Sequence, residues 1–155
     1  MLCYRIVFAR FEKYAFSGEG ARFCAGRWNH KGTAIVYASE TRALAALELL
    51  NRLDTKSKYE DFILFTAEIP DDLYINRIAV DELPDGWNQI PENTMYRGIG
   101  SSWVDSDSSV ALFVPSVIMP EEYNILINTQ HDDYGKINIV SKRDFKFDER
   151  ITSKI

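Results

Sequence analysis

Cysteine, histidine and proline are all scarce in this 155-residue chain, at two, two and five residues. Cys3 and Cys24 share no Cys-x-x-Cys spacing, which excludes a disulfide framework or a sulfur-built zinc cage and favours a reducing compartment. His30 and His131 lie far apart with no ligand spacing, so no metal site is expected. Basic residues are the minority, eighteen against twenty-three acidic, for a formal net charge of −5. A chain of that sign lacks the broad cationic field that holds a phosphate backbone, so direct nucleic-acid binding is not expected. An acidic surface suits a basic protein partner instead. No apolar run is long enough to span a membrane. The opening MLCYRIVFAR has no cationic leader before a long apolar run, so no secretory signal is expected. These absences lead to a soluble, cytoplasmic protein.

Three motif-like fragments fail on their own terms. Gly18-x-Gly20 lacks the strand–turn–helix context of a dinucleotide fingerprint. Asp105-x-Asp107-x-Ser109 starts like a calcium loop but has no glycine at the sixth position and Ser116 where the twelfth needs glutamate. No Gly-x-Ser-x-Gly elbow supports serine-hydrolase chemistry.

What is present is core material. The hydrophobic fraction is 46%, with nine Phe, eight Tyr and three Trp, and the length suits one domain. Strands are expected at Leu2–Phe8, Thr33–Ala38, Phe62–Ile69, Val110–Val114, Tyr123–Asn128 and Lys136–Ser141, with a strand-like run over Leu73–Val80 interrupted by Asn76 and Arg77, and Phe145 and Phe147 alternating in a last short strand. Residues 11–22 and Leu83–Pro91 read as loops. A helix is expected from Ser39 as N-cap to about Leu53, with Ala43, Ala46, Leu49, Leu50 and Leu53 on its apolar arc. Helical spacing also runs through Asn93–Val104, weakened by Gly98 and Gly100. The sum is a mixed α+β domain with six or seven strands and two helices.

Chemistry concentrates in Gly26–Leu50, GRWNHKGTAIVYASETRALAALELL, which presents Arg27, Lys31, Tyr37 and Glu48 on one strand-to-helix unit. Each has an ordinary reading as well. Helix geometry alone makes Glu48 an exposed i,i+4 partner of Arg52. Tyr37 at a strand end is usually core, and Arg27 between Gly26 and Trp28 is surface or constrained. Ser116 between Pro115 and Pro120 says little alone, and Arg5 inside the first strand faces either solvent or a polar cleft.

Taken together, these pieces resemble the RES domain family, toxins of bacterial toxin–antitoxin pairs named for conserved Arg, Glu and Ser. The resemblance runs over nearly the whole chain, residues 1–155 as a single domain. It is carried by YRI at Tyr4–Ile6, SGEGAR at Ser17–Arg22, GRWN at Gly26–Asn29 and KGTAIVYASE at Lys31–Glu40. It continues through ALE at Ala46–Glu48, VPS at Val114–Ser116 and NILIN at Asn124–Asn128 followed by His131. One departure is visible: Thr129-Gln130 stand where the family commonly has a proline before the histidine.

The resemblance implies an ADP-ribosyltransferase-like α+β fold, mostly antiparallel strands around a cleft with a few helices. It implies a toxin that depletes NAD, as substrate rather than cofactor, by cleaving the nicotinamide–ribose bond. Glu48, Arg27, Tyr37 and Ser116 are then the catalytic set, and Arg5, Lys31 and Asn29 bind substrate. Nicotinamide leaves as a neutral molecule, so the difficulty is the cationic ribose, which a positioned carboxylate such as Glu48 stabilises. Arg27 suits the pyrophosphate, with Arg5 assisting, Tyr37 the nicotinamide ring, and Ser116 the ribose or the carboxylate. The implied partner is an Xre-type helix-turn-helix antitoxin, through which any DNA contact would run. The acceptor (water, phosphate or a protein side chain) and homodimer formation stay open. Two other classes remain: a mono-ADP-ribosyltransferase acting on a protein, and a non-catalytic nucleotide-binding module.

Overall fold

The computed structural model describes residues 1–89 and 94–154. Its seven strands are β1 (Leu2–Phe8), β2 (Ile35–Ser39), β3 (Phe62–Glu68), β4 (Ile75–Arg77), β5 (Ala111–Pro115), β6 (Tyr123–Asn128) and β7 (Asn138–Phe145). They form one sheet in the order β4-β5-β6-β2-β1-β3-β7, antiparallel throughout except for β4 beside β5. The α-helices are α1 (Glu19–Phe23), α2 (Arg42–Leu50), α3 (Arg97–Ser106) and α4 (Glu149–Thr152).

The central strands are apolar on both faces because both faces are covered. Ala111, Phe113, Ile125 and Ile127 join one cluster with Cys3, Val36 and Ala67. The alternate residues Leu112, Val114 and Leu126 join Trp28, Trp87 and Trp103 on the other side. This period-2 division is what the continuous apolar runs of β5 and β6 encode.

The feature that makes the site lies between β1 and β2. β1 pairs with β3 along its whole length, from Leu2–Glu68 to Phe8–Phe62, but meets β2 only at Tyr4–Ser39. The sheet opens there, and the Arg5 guanidinium donates through Nη1 to the Tyr37 carbonyl, bridging the gap. α2 lies over the opening. Its residues Ala45, Ala46 and Leu49, with Leu53 beyond its end, pack on Tyr4, Ile6, Phe62 and Leu64.

Several expectations are corrected. The N-cap of α2 is Thr41, whose hydroxyl accepts from Leu44 N at 3.0 Å. Ser39 instead stays extended in β2, paired with Asn124 of β6 and donating to its Oδ1 at 2.8 Å. Glu40 lies outside the helix, and its Oε1 accepts from Tyr123 N at 2.7 Å. Ala43, expected on the apolar arc, is exposed, whereas Leu44 is buried. The stretch expected as a strand over Leu73–Val80 is a strand only at Ile75–Arg77. β7 is continuous to Phe145, with Phe147 packing beyond it against Phe62 and Phe145, so there is no separate last strand. Part of the expected loop 11–22 is helical, as α1 and the 3-10 turn Ala9–Tyr14. Asn93, where the second helix was expected to start, and Ile90 and Pro91 of the expected loop lie outside the described residues.

The two glycines that weaken α3 have different roles. A Cβ on Gly100 would stand 2.1 Å from the Trp28 carbonyl oxygen, so only glycine lets the helix approach that loop. Ser101 beside it accepts from His30 N at 2.9 Å and shares a hydrogen bond with the Thr33 hydroxyl at 2.8 Å. α3 thereby grips the turn that carries Arg27. No helix among the described residues is long and apolar enough to cross a membrane.

Candidate active site

The first wall is the loop Gly26–His30 with β2. Asn29 is fully buried and organises it. Its Oδ1 accepts from Gly26 N at 3.1 Å and from the Tyr37 hydroxyl at 2.7 Å. Its Nδ2 lies 2.9 Å from the Ala21 carbonyl and 3.0 Å from that of His30. A Cβ on Gly26 would sit 2.8 Å from both Asn29 Oδ1 and the Tyr37 hydroxyl, so glycine is required at this close approach. The Tyr37 hydroxyl also accepts from Trp28 N at 3.3 Å. Arg27 is held at one end, with Nη1 donating to the Trp87 carbonyl at 2.9 Å, while the Trp28 and Trp87 rings stack at 6.4 Å. Its other N–H groups have no protein acceptor among the described residues and remain available to an anion.

The second wall is α2. Glu48 is half-buried and makes no ion pair with Arg52 among the described residues. Instead its Oε1 accepts from Ser116 Oγ at 2.8 Å and from Asn124 Nδ2 at 2.5 Å. The Arg52 guanidinium lies over the Tyr37 ring, 6.0 Å from its centroid. The helix face read as solvent-exposed is therefore turned inward, because Leu44, one turn earlier on that face, is buried.

Between these walls is a cleft of about 670 Å³, lined among others by Arg5, Arg27, Tyr37, Glu48, Arg52 and Asn124. That volume lies within the usual range of small-molecule sites. Three guanidinium groups surround one carboxylate, so the cleft is locally cationic in an acidic chain. Arg5 has its Nε enclosed and without a hydrogen-bond partner. Burial, and then the Arg52 charge, push Arg5 down to about 10, still cationic at neutral pH. Such a site can hold a phosphate-bearing molecule and set a carboxylate against it.

Of the expected residues, Arg5, Arg27, Asn29, Tyr37 and Glu48 come together around this cleft. Asn29 lines it, with its amide hydrogen-bonded within the loop and to Tyr37. Ser116 is fully buried and outside the lining. Its hydroxyl donates to Glu48 and accepts from the Ile118 and Met119 N–H groups, so it holds the carboxylate. Lys31, expected to bind substrate, is exposed on the turn before β2 and does not line the cleft. His131 caps a 3-10 turn, with Nδ1 accepting from Asp133 N at 3.0 Å. No cluster of three His, Cys, Asp or Glu that could hold a metal occurs among the described residues. Sequence reasoning missed Asn124 and gave Arg52 the wrong partner. The available signal for Asn124 was an asparagine inside an apolar strand, a position where that residue is depleted.

A single α+β domain with a split sheet and an arginine-lined cleft around one braced glutamate is the class of protein defined here. The RES domain model matches residues 2–148. The chain is 36% identical over 152 residues to Toxin Res of Yersinia enterocolitica, covering 97% of this chain and 99% of that one. It is 38% identical over 146 residues to the Prs ADP-ribosylating toxin of Sphingobium sp., covering 93% and 91%. The fold also matches a chain of the crystal structure of the M.tuberculosis MbcT-MbcA toxin-antitoxin complex. That match has a TM-score of 0.79 at 17% identity, over 99% of this chain and 87% of that one. The chain belongs to the RES domain family, and it is a toxin of that family.

Proposed function

We propose that this RES toxin works within a toxin–antitoxin system and arrests growth by cleaving the nicotinamide–ribose bond of NAD. The observation that carries the reading is a single carboxylate, Glu48, braced by two donors inside a cleft with Arg5, Arg27 and Arg52. The guanidinium groups match the pyrophosphate of NAD, and Arg27 has free N–H groups to offer it. Breaking the bond between the ribose C1′ and the nicotinamide nitrogen sends the bonding electrons out with neutral nicotinamide. The ribose is left cationic, and the Glu48 carboxylate stabilises that charge. Addition of water then gives ADP-ribose and releases a proton; addition of inorganic phosphate gives phosphorylated ADP-ribose. An Xre-type antitoxin covering the cleft would neutralise the toxin and carry any DNA contact.

A second reading, transfer of ADP-ribose to a protein, is favoured by the relative named as an ADP-ribosylating toxin. One experiment separates the two. Purified protein is mixed with NAD, with and without phosphate, beside Glu48→Gln, and free nicotinamide and protein mass are followed. Nicotinamide release by the parent alone supports depletion, and its phosphate dependence identifies the acceptor. Release that appears only with a protein acceptor gaining ADP-ribose mass supports transfer. No loss of NAD under either condition overturns both.

A further inference from the structure

We infer that Asn124, locked by Ser39, is a positioning residue that holds Glu48 so that its second oxygen faces the substrate. This rests on the NAD-cleaving reading. A carboxylate only accepts hydrogen bonds, so the Asn124 side chain at 2.5 Å from Glu48 Oε1 must present its NH₂ group and not its carbonyl. An asparagine amide is nearly symmetric in shape and is set one way round only by its other partner. Ser39 is that partner: buried on β2, its hydroxyl donates to Asn124 Oδ1 at 2.8 Å. Ser39 and Asn124 are themselves a register pair of β2 and β6, so the relay is carried by the sheet and not by a loop.

A second donor converges on the same oxygen. The Ser116 hydroxyl accepts from Ile118 and Met119, and its proton goes to Glu48 Oε1. Both donors therefore engage Oε1, and Oε2 has no protein donor among the described residues. The carboxylate plane is fixed from behind by β6 and the end of β5, with one oxygen left to act in the cleft. A carboxylate oriented before substrate arrives needs no reorganisation as the ribose becomes cationic.

The test measures nicotinamide release from NAD by the parent, Asn124→Ala, Asn124→Asp, Ser39→Ala and Glu48→Gln, with thermal melts to verify folding. Asn124→Ala lowers kcat by roughly tenfold to a hundredfold with KM within about twofold, because a hydrogen bond to a charged group is lost without touching substrate. Ser39→Ala gives a smaller loss in the same direction. Asn124→Asp sets a second carboxyl against Glu48, and the two share one proton. Activity falls at neutral pH and returns on the acid side, moving the optimum down by about one pH unit or more. The other charged or titratable groups facing Glu48, namely Arg5 on β1, Arg52 after α2, Tyr37 on β2 and Arg27 across the cleft, are the same in every variant. A merely structural asparagine would leave the pH profile in place.

Asn124→Ala with kcat within twofold of a parent that Glu48→Gln inactivates overturns the relay and leaves the NAD reading intact. A parent that releases no nicotinamide overturns the NAD reading, and the relay is then decided by NMR. The Asn124 side-chain amide protons are slow to exchange in the parent and fast in Ser39→Ala and Glu48→Ala; equal exchange in all three overturns the relay.

Discussion

Arg5→Met should make the protein more stable and at the same time remove its ability to turn over NAD. Arg5 is a guanidinium at the bottom of the sheet opening, with its Nε enclosed and unpartnered and Arg52 nearby. The lowering of its pKa to about 10 corresponds to on the order of 3 kcal/mol by which the folded state disfavours this charge. Replacing the cation by an apolar side chain of similar length removes that penalty but also the hydrogen bond to the Tyr37 carbonyl, which is worth about 1 kcal/mol. The expected net gain is about 1–2 kcal/mol, or roughly 2–8 °C in Tm for a domain of this size. The sign with pH follows from linkage. Below about pH 10 both folded and unfolded chains carry the proton, so the penalty is fully present; it is relieved only as pH rises above about 10. The gap between variant and parent is therefore flat from about pH 6 to 9. Thermal and urea unfolding across that range measure it, alone and with ADP-ribose. The nucleotide raises the Tm of the parent and not of Arg5→Met. A variant that melts below the parent by more than about 2 °C at neutral pH would refute the reasoning, since it would mean that the charge is compensated in the folded state.

The two glycines of α3 should respond in opposite ways. Gly98→Ala meets nothing nearer than His30 Nε2 at 3.9 Å and should be neutral or stabilising by about 0.5–1 kcal/mol in urea unfolding. Gly100→Ala forces a Cβ against the Trp28 carbonyl and should cost about 2–3 kcal/mol or more, with loss of nicotinamide release as the Arg27 loop shifts. Lys31→Ala should leave kcat/KM within about twofold and stability within about 0.5 kcal/mol, as for an exposed residue outside the cleft. A tenfold loss would show that Lys31 reaches the bound substrate.

The strands β1, β3, β5 and β6 were legible because they are largely buried, as short runs dominated by aliphatic and aromatic residues with few exposed positions. The family was legible for a different reason: GRWN, the tyrosine of β2 and the glutamate of α2 are spaced by backbone geometry that the fold imposes. The function of Glu48 was not legible from its helix. A helical wheel assigns one apolar arc to the core and the rest to water, but α2 bridges a split sheet and turns two sides inward. One side carries Ala45 and Leu49 onto β1, and the other carries Leu44 and then Glu48 towards Ser116, just after β5, and Asn124 of β6. On the second side an acid follows a buried leucine by one turn, which is a local violation of amphipathic patterning. Such violations are tolerated where the polar group finds hydrogen-bond partners, and here the partners of Glu48 Oε1, Ser116 and Asn124, are 68 and 76 residues away in sequence. No window of the chain contains both an acid and its donors, so local pattern reads the violation as exposure. What converts it into a site is the single β1–β2 contact at Tyr4–Ser39, which opens the sheet beneath the helix and leaves the carboxylate facing three arginines.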